Sequence, residues 1–246
     1  MKVWLLSDLH LKTVNERNGN ILLRFLHSLA RGEREATHLV MLGDIFDFWV
    51  GDHGFYTKQF QPYIDAVLAV QKAGIKVIYF EGNHDVHVKK FWDSVGIETH
   101  VEDEYFQFGK LNVRLSHGDL INPNDHKYLK YREFIRRPLL EKLAHILPAR
   151  ELTMIGKVAS RKSRKRSSHY RRHNEDQLIE LIRTYAEKCF REKPFDILFT
   201  GHMHVRDDWV GNIDGRAFRS VNLGSWFDVP QVFWLTETAS DWETVG

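Results

Sequence analysis

Val77-Ile78-Tyr79-Phe80-Glu81-Gly82-Asn83-His84-Asp85 sets a short β-branched and aromatic run directly before Gly, Asn, His and Asp. The apolar residues predict a buried strand, and the polar cluster predicts a loop at its carboxyl end. The arrangement recurs four more times. Residues 3–6 lead to Asp8 and His10, 39–42 to Gly43-Asp44, 113–115 to His117-Gly118-Asp119, and 197–199 to Gly201-His202-Met203-His204. Later strands are predicted at 221–223 and 232–235, and apolar residues at helical spacing predict helices over 21–29 and 63–70, the second stopping near Gly74. Strands alternating with helices give an α/β class with buried strands and outer helices. Ligands of such sheets bind beyond the carboxyl ends of the strands, where five loops here deliver Asp, Asn and His.

Residues 121–175 break this rhythm. Tyr128, Tyr131, Phe134, Ile135, Leu139, Leu140 and Leu143 form an apolar stripe at helical spacing, interrupted by Pro138. A basic run over 157–172 follows, and residues 150–172 hold nine Lys or Arg against the single acid Glu151. The pattern predicts a core formed by 1–120 and 176–246, and a helical insertion or cap over 121–175. The stripe could line an apolar groove or simply pack onto the core. The basic run could meet phosphates or an anionic surface, or be a solvated face.

Composition narrows the classes. A net charge of +2 gives no strong overall field, and one cysteine, Cys189, excludes a disulfide framework and a Cys-based zinc site. The N-terminus is apolar for only a few residues before Asp8, too short for a secretory signal, and no run approaches the ~20 apolar residues of a membrane span. The expected location is the cytoplasm, or the periphery of a membrane on its cytoplasmic side.

The strand-end residues match one chemistry. A phosphate ester is anionic and repels nucleophiles; two cations held ~3.5–4 Å apart bind its oxygens and make water nucleophilic near neutral pH. A shared carboxylate neutralises and spaces such a pair. Mixed imidazole, carboxylate and amide donors suit Mn, Fe or Zn better than Ca. Each motif alone is weak, but all five in order, each after a strand, form a specific signal. The remaining histidines, among them His27, His38, His53, His87, His100, His145, His169 and His173, read as surface or packing residues.

Asp8-Leu9-His10, Gly43-Asp44, Gly82-Asn83-His84, Ser116-His117 and Gly201-His202-Met203-His204 together resemble the calcineurin-like metallophosphoesterases. The resemblance implies a layered β-sandwich flanked by helices and two divalent metal ions, with Mn2+ expected and Fe or Zn the alternatives. One ion would take Asp8, His10, Asp44 and His204, and the other Asp44, Asn83, His117 and His202. It implies that His84 acts at the leaving group, oriented by Asp47.

A narrower resemblance is to the UDP-2,3-diacylglucosamine hydrolase family of lipid A synthesis, carried by residues 43–52, by Asn124-Asp125-His126-Lys127-Tyr128 with Arg132, and by an insertion of similar length. It implies pyrophosphate cleavage of a UDP-linked diacylated glucosamine or related lipid to UMP and a lipid sugar phosphate, with acyl chains held by the cap. It also implies a peripheral location on the cytoplasmic face of the inner membrane. It implies substrate contacts from Asn83, His84, Asp125, Arg132, Ser163, Arg171 and His202. Two features depart from that family: His84 stands where Arg is common, and the polar positions of the second insertion helix match only in part, with Ser167 where Asn is expected. No obligate protein partner is expected. A nuclease or cyclic-nucleotide phosphodiesterase is the alternative enzyme, though no interleaved aromatic stacking platform appears among the basic residues. A non-enzymatic scaffold of this fold would have damaged ligands, and none is missing.

Overall fold

In a computed structural model of the chain, alternate residues of the central strands face two different apolar layers. The backbone is described over 1–246, and the side chains of all residues except 144–145, 149–150, 153 and 156–174. The chain runs through β1 (Val3–Leu6), α1 (Arg17–Ala30), β2 (His38–Met41), β3 (Trp49–Val50), α2 (Gly54–Gln59), α3 (Gln61–Lys72), β4 (Lys76–Phe80), β5 (Asp85–Val86), α4 (Lys89–Ser94), β6 (Glu98–His100), β7 (Glu104–Phe108) and β8 (Leu111–Leu115). It continues through α5 (His126–Ile135), α6 (Pro138–Ile146), α7 (Ala149–Glu192), β9 (Ile197–Thr200), β10 (Arg206–Ile213), β11 (Arg216–Leu223), β12 (Gln231–Leu235) and β13 (Ser240–Thr244).

A six-stranded sheet has the order β13-β12-β1-β2-β4-β6, and a five-stranded sheet the order β10-β11-β9-β8-β7. Val3, Leu5, Val40, Leu42, Ile78 and Phe80 of the first sheet share one buried layer with Val113, Leu115, Ile197, Phe199, Val221 and Leu223 from the second. The period of two then sends Trp4, Leu6, Leu39, Met41, Val77 and Tyr79 to the opposite face, against Ile21, Leu22, Phe25 and Leu26 of α1 and Tyr63, Val67 and Val70 of α3. Both faces of these strands are buried, so they read as unbroken apolar runs. The outer face of the second sheet packs Leu198 and Phe218 on Ala186, Cys189 and Phe190 of α7. The result is a helix–sheet–sheet–helix sandwich, the architecture expected from the sequence.

Three parallel neighbours, β1, β2 and β4, carry the loops of Asp8, Asp44 and Asn83; β8 and β9, also parallel neighbours, carry those of His117 and His202. The insertion is helical, as expected, but α7 spans the expected boundary at 175 and continues as the core helix on the second sheet. No residue of α5 is buried. Among the described residues of the insertion, Tyr131, Phe134, Leu139, Leu143 and Ile146 are 43–79% exposed, so most of the stripe does not pack on the core. Ser163, Arg171 and the basic run lie outside the described side chains.

Candidate metal centre

Beyond the carboxyl ends of the strands, the candidate ligand loops of the two sheets touch each other. The backbone N–H of His202 donates to Asp8 Oδ2 (2.9 Å), and His117 Nδ1 lies 2.7 Å from the Leu42 carbonyl. The second contact places the proton on Nδ1, because a carbonyl can only accept, and leaves the His117 Nε2 lone pair facing the site. Nε2 is 3.4 Å from Asn83 Oδ1 and 3.7 Å from Asp44 Oδ1. The other Asp44 oxygen, Oδ2, lies 3.7 Å from His10 Nε2. Asp44 thus turns one oxygen to each of two groups: Asp8, His10, Asp44 and His204, and Asp44, His117 and His202, the donor atoms of each group lying within 4.8 Å of one another. The structure thus brings together the residues expected for each set, with Asn83 beside the second.

The donors fit cations. His10 Nε2 and His204 Nε2 converge to 3.1 Å. Buried Asp8 Oδ1 stands 3.2 Å from His204 Nε2. Burial drives the Asp44 carboxyl well above the usual carboxylate range, and the charges of Asp85 and Asp8 add to this. Burial also opposes ionisation of Asp8, but hydrogen bonding and charge from His204, with His117 adding, hold its carboxyl below the usual range. Burial, then His117, pushes His202 down to about 3, keeping its imidazole a neutral donor. Carboxylates crowded away from water beside imidazoles form a set that a divalent charge stabilises.

The backbone is strained at the same place. Among the described residues, seven non-glycine positions have positive φ; five of them are Asp8, His10, Asp44, His202 and His204, at φ between 51° and 66°. Such conformations persist where the surroundings over-determine them. Gly82 is required by close approach: a Cβ there would lie 2.1 Å from Asp44 Oδ1.

His84 is buried, its ring 4.7 Å from that of His10. Its N–H donates to Asp44 Oδ1 (2.8 Å), and its Nδ1 lies 2.8 Å from the Asp47 backbone carbonyl. A carboxylate oxygen of Asp47 also lies within 4.8 Å of His84 and His10 nitrogens. Burial holds the imidazole below its ordinary value, although the Asp47 carbonyl and charge oppose this.

Several residues that shape the site stand outside the expected set. Asp85, fully buried, accepts from Asp44 N (3.0 Å), Ile45 N (2.9 Å), Gly82 N (2.7 Å) and Tyr79 Oη (2.5 Å), tying the loop of Asp44 to that of Asn83. Only its place beside Asn83-His84 hinted at this. Asp119 accepts from Arg132 Nε (2.7 Å) and Tyr128 Oη (3.1 Å). Arg136 reaches Glu81 (3.3 Å) and the Gly82 carbonyl (3.4 Å), and His87 Nε2 lies 2.7 Å from the Ile135 carbonyl. Helix α5 is therefore held on the candidate ligand loops by charge and hydrogen bonds rather than by apolar burial. Of the expected substrate contacts, Asn83, His84 and His202 lie at the centre. Asp125 caps α5 by accepting from Tyr128 N (3.0 Å), and Arg132 pairs with Asp119 and Glu102. The Tyr128 ring lies 5.2 Å from the His202 ring, so α5 forms one lip of the site.

The chain resembles three proteins named UDP-2,3-diacylglucosamine hydrolase. That of Chromohalobacter salexigens is 29% identical over 92% of this chain and 89% of its own. That of Ectopseudomonas mendocina is 29% identical over 91% and 90%, and that of Proteus mirabilis 25% over 94% and 93%. The family model described as calcineurin-like phosphoesterase matches residues 1–206, a span that includes all seven expected metal ligands. A match through every ligand loop, on strands that bring those loops to one edge, makes the chain a member of the calcineurin-like phosphoesterase family and a hydrolytic enzyme.

Proposed function

We propose that the chain is a binuclear, Mn2+-dependent hydrolase that cleaves the pyrophosphate of UDP-2,3-diacylglucosamine to UMP and 2,3-diacylglucosamine 1-phosphate. The observation that carries the lipid assignment is where apolar surface is exposed. Of the ten large hydrophobic residues exposed among the described residues, seven lie in the insertion, from Tyr131 to Ile155. Soluble proteins seldom expose so many large apolar residues in one segment without use. It begins at the lip formed by Tyr128, next to His202, so residues 121–175 act as a cap that shelters acyl chains while the phosphates reach the centre. The same surface suits peripheral contact with the cytoplasmic face of the inner membrane. An apolar lip is a poor surface for a nucleic-acid backbone, which sets the nuclease alternative aside. The names of the three relatives point the same way.

Asp8, His10, Asp44 and His204 would hold one cation, and Asp44, Asn83, His117 and His202 the other. The pair supplies electrophilic stabilisation of the phosphoryl oxygens and a nucleophile from water. The chain's own residues do the rest. Asp44 spaces the two groups. His84, with Nδ1 committed to the Asp47 carbonyl, presents Nε2 as the site of proton transfer at the leaving oxygen. Burial keeps its ring neutral until an anionic phosphate sits beside it; that charge favours the protonated form, which acts as the acid. Asp125 and Arg132 contribute by holding α5.

The test compares acylated and deacylated UDP-glucosamine with the Mn2+-loaded enzyme. A sheltered methylene contributes about 0.8 kcal/mol, so four of them correspond to about 10²-fold in kcat/KM. Equal efficiency on the two substrates refutes the lipid assignment. Chelation should abolish activity and Mn2+ restore it; full activity in rigorously metal-free protein refutes the metal centre.

A further inference from the structure

The lip opposite α5 carries an exposed aromatic ring that the mechanism does not use. Phe227 lies between β11 and β12, its ring stacked on His10 (5.2 Å between centroids, 13° between planes) and edge-on to His204 (5.3 Å). With one face covered by His10, the residue is still 43% exposed, and neighbouring Val229 is 42% exposed. The loop beneath it is tightly held. Trp226 is buried and its N–H donates to the Asp8 carbonyl (3.3 Å). Asn18 Nδ2 donates to the Trp226 carbonyl (3.0 Å), and Arg206 donates to the carbonyls of Ser225 (2.9 Å) and Val229 (2.5 Å). The ring is thus presented on a preorganised support, at the first-ion side of the centre, while Tyr128 stands at the second-ion side against His202.

We propose that Phe227 is the platform on which the base of a nucleotide substrate stacks. This rests on the proposed function: a pyrophosphate joining a nucleoside to a lipid sugar leaves the centre with two organic arms. The exposed apolar helices at the Tyr128 lip take the acyl arm. The other arm ends in a planar ring, and the flat ring within reach on the opposite lip is Phe227. Stacking needs no hydrogen-bond partner and exploits a rigid aromatic face, which a fixed loop provides at little entropic cost. Phe227 is therefore a specificity-determining residue, separating nucleotides from phosphorylated sugars without a base.

The experiment uses the Mn2+-loaded full chain hydrolysing a small aryl phosphodiester, with UMP or ribose 5-phosphate as competing inhibitor. The wild type should bind UMP more tightly than ribose 5-phosphate. Phe227→Ala should shrink that ratio roughly 5- to 150-fold, the range of base–aromatic stacking. Phe227→Trp should keep the ratio, and Phe227→Leu should lose most of it. Any of three results overturns the inference: a wild type that binds the two inhibitors equally, an Ala variant that weakens both alike or neither, or a Leu variant as discriminating as Phe. Loss of bound metal from the Ala variant, read by elemental analysis, would instead assign Phe227 to shielding His10 and His204 and also overturns it. Because no lipid enters this assay, failure to cleave UDP-2,3-diacylglucosamine defeats the proposed function and leaves the base comparison to decide separately.

Discussion

Replacing Asp85 by Asn probes how the centre is built without touching an expected metal ligand. Asp85 Oδ1 accepts from Asp44 N and Gly82 N, and Oδ2 from Ile45 N and Tyr79 Oη. An asparagine keeps one oxygen. Turned to retain the Asp44 and Gly82 contacts, it sets its amide hydrogens against the Ile45 N–H, while the Tyr79 hydroxyl can rotate and accept. One buried donor is then unsatisfied, a cost of about 1–3 kcal/mol. The loop that loses its anchor carries Asp44, whose two oxygens face the two candidate metal groups, so affinity for divalent ions should fall about 10–100-fold, the usual effect of removing an outer partner of a metal ligand. Calorimetric titration with Mn2+ measures the affinity, and Tm of the metal-free protein measures the stability. Tyr79→Phe, which removes only one donor, should show a smaller loss in both. An Asp85→Asn protein with wild-type Mn2+ affinity and wild-type Tm would refute the claim that this carboxylate positions the bridging loop.

His84→Ala keeps the backbone N–H that donates to Asp44 Oδ1, so both ions should remain bound while turnover drops about 10²–10⁴-fold; stoichiometric loss of metal would instead make His84 a ligand. Gly43→Ala places a Cβ 2.6 Å from Gly82 N and 2.7 Å from His117 Nδ1 at φ +78°, so it should spread the ligand loops and reduce metal occupancy, measured by elemental analysis. Cys189 is buried and its thiol pushed up to about 11 by burial, so a thiol reagent at pH 8 should label it only after unfolding. Because its folded value exceeds the ordinary one, the stability it contributes is present below the ordinary thiol range and is lost as pH rises through about 11, which denaturant titrations at pH 8 and 10.5 would reveal.

The central strands and the chemistry of their loops were legible in the sequence because both are local. A run such as Val77-Ile78-Tyr79-Phe80 is apolar throughout because both of its faces are buried, and the donor type of Asn83 or His202 is the residue itself. Edge strands were not legible: β10 (Arg206–Ile213) mixes acids, Gly and apolar residues, and β13 (Ser240–Thr244) has little apolar character. What only the tertiary structure decided is who meets whom. His10 and His204 converge across 194 positions of sequence, Asp44 turns one oxygen toward His10 of the first sheet's loops and the other toward His117 of the second's, and four donors find Asp85. The apolar stripe from Tyr128 to Leu143 has the same spacing whether it packs or stays open; the structure leaves much of it exposed because Arg132, Arg136 and Tyr128 dock α5 through polar groups. Phe227 likewise carries no motif of its own. Its meaning comes from a loop pinned to Asp8, Asn18 and Arg206, contacts between residues far apart in the chain that no local pattern of side chains encodes.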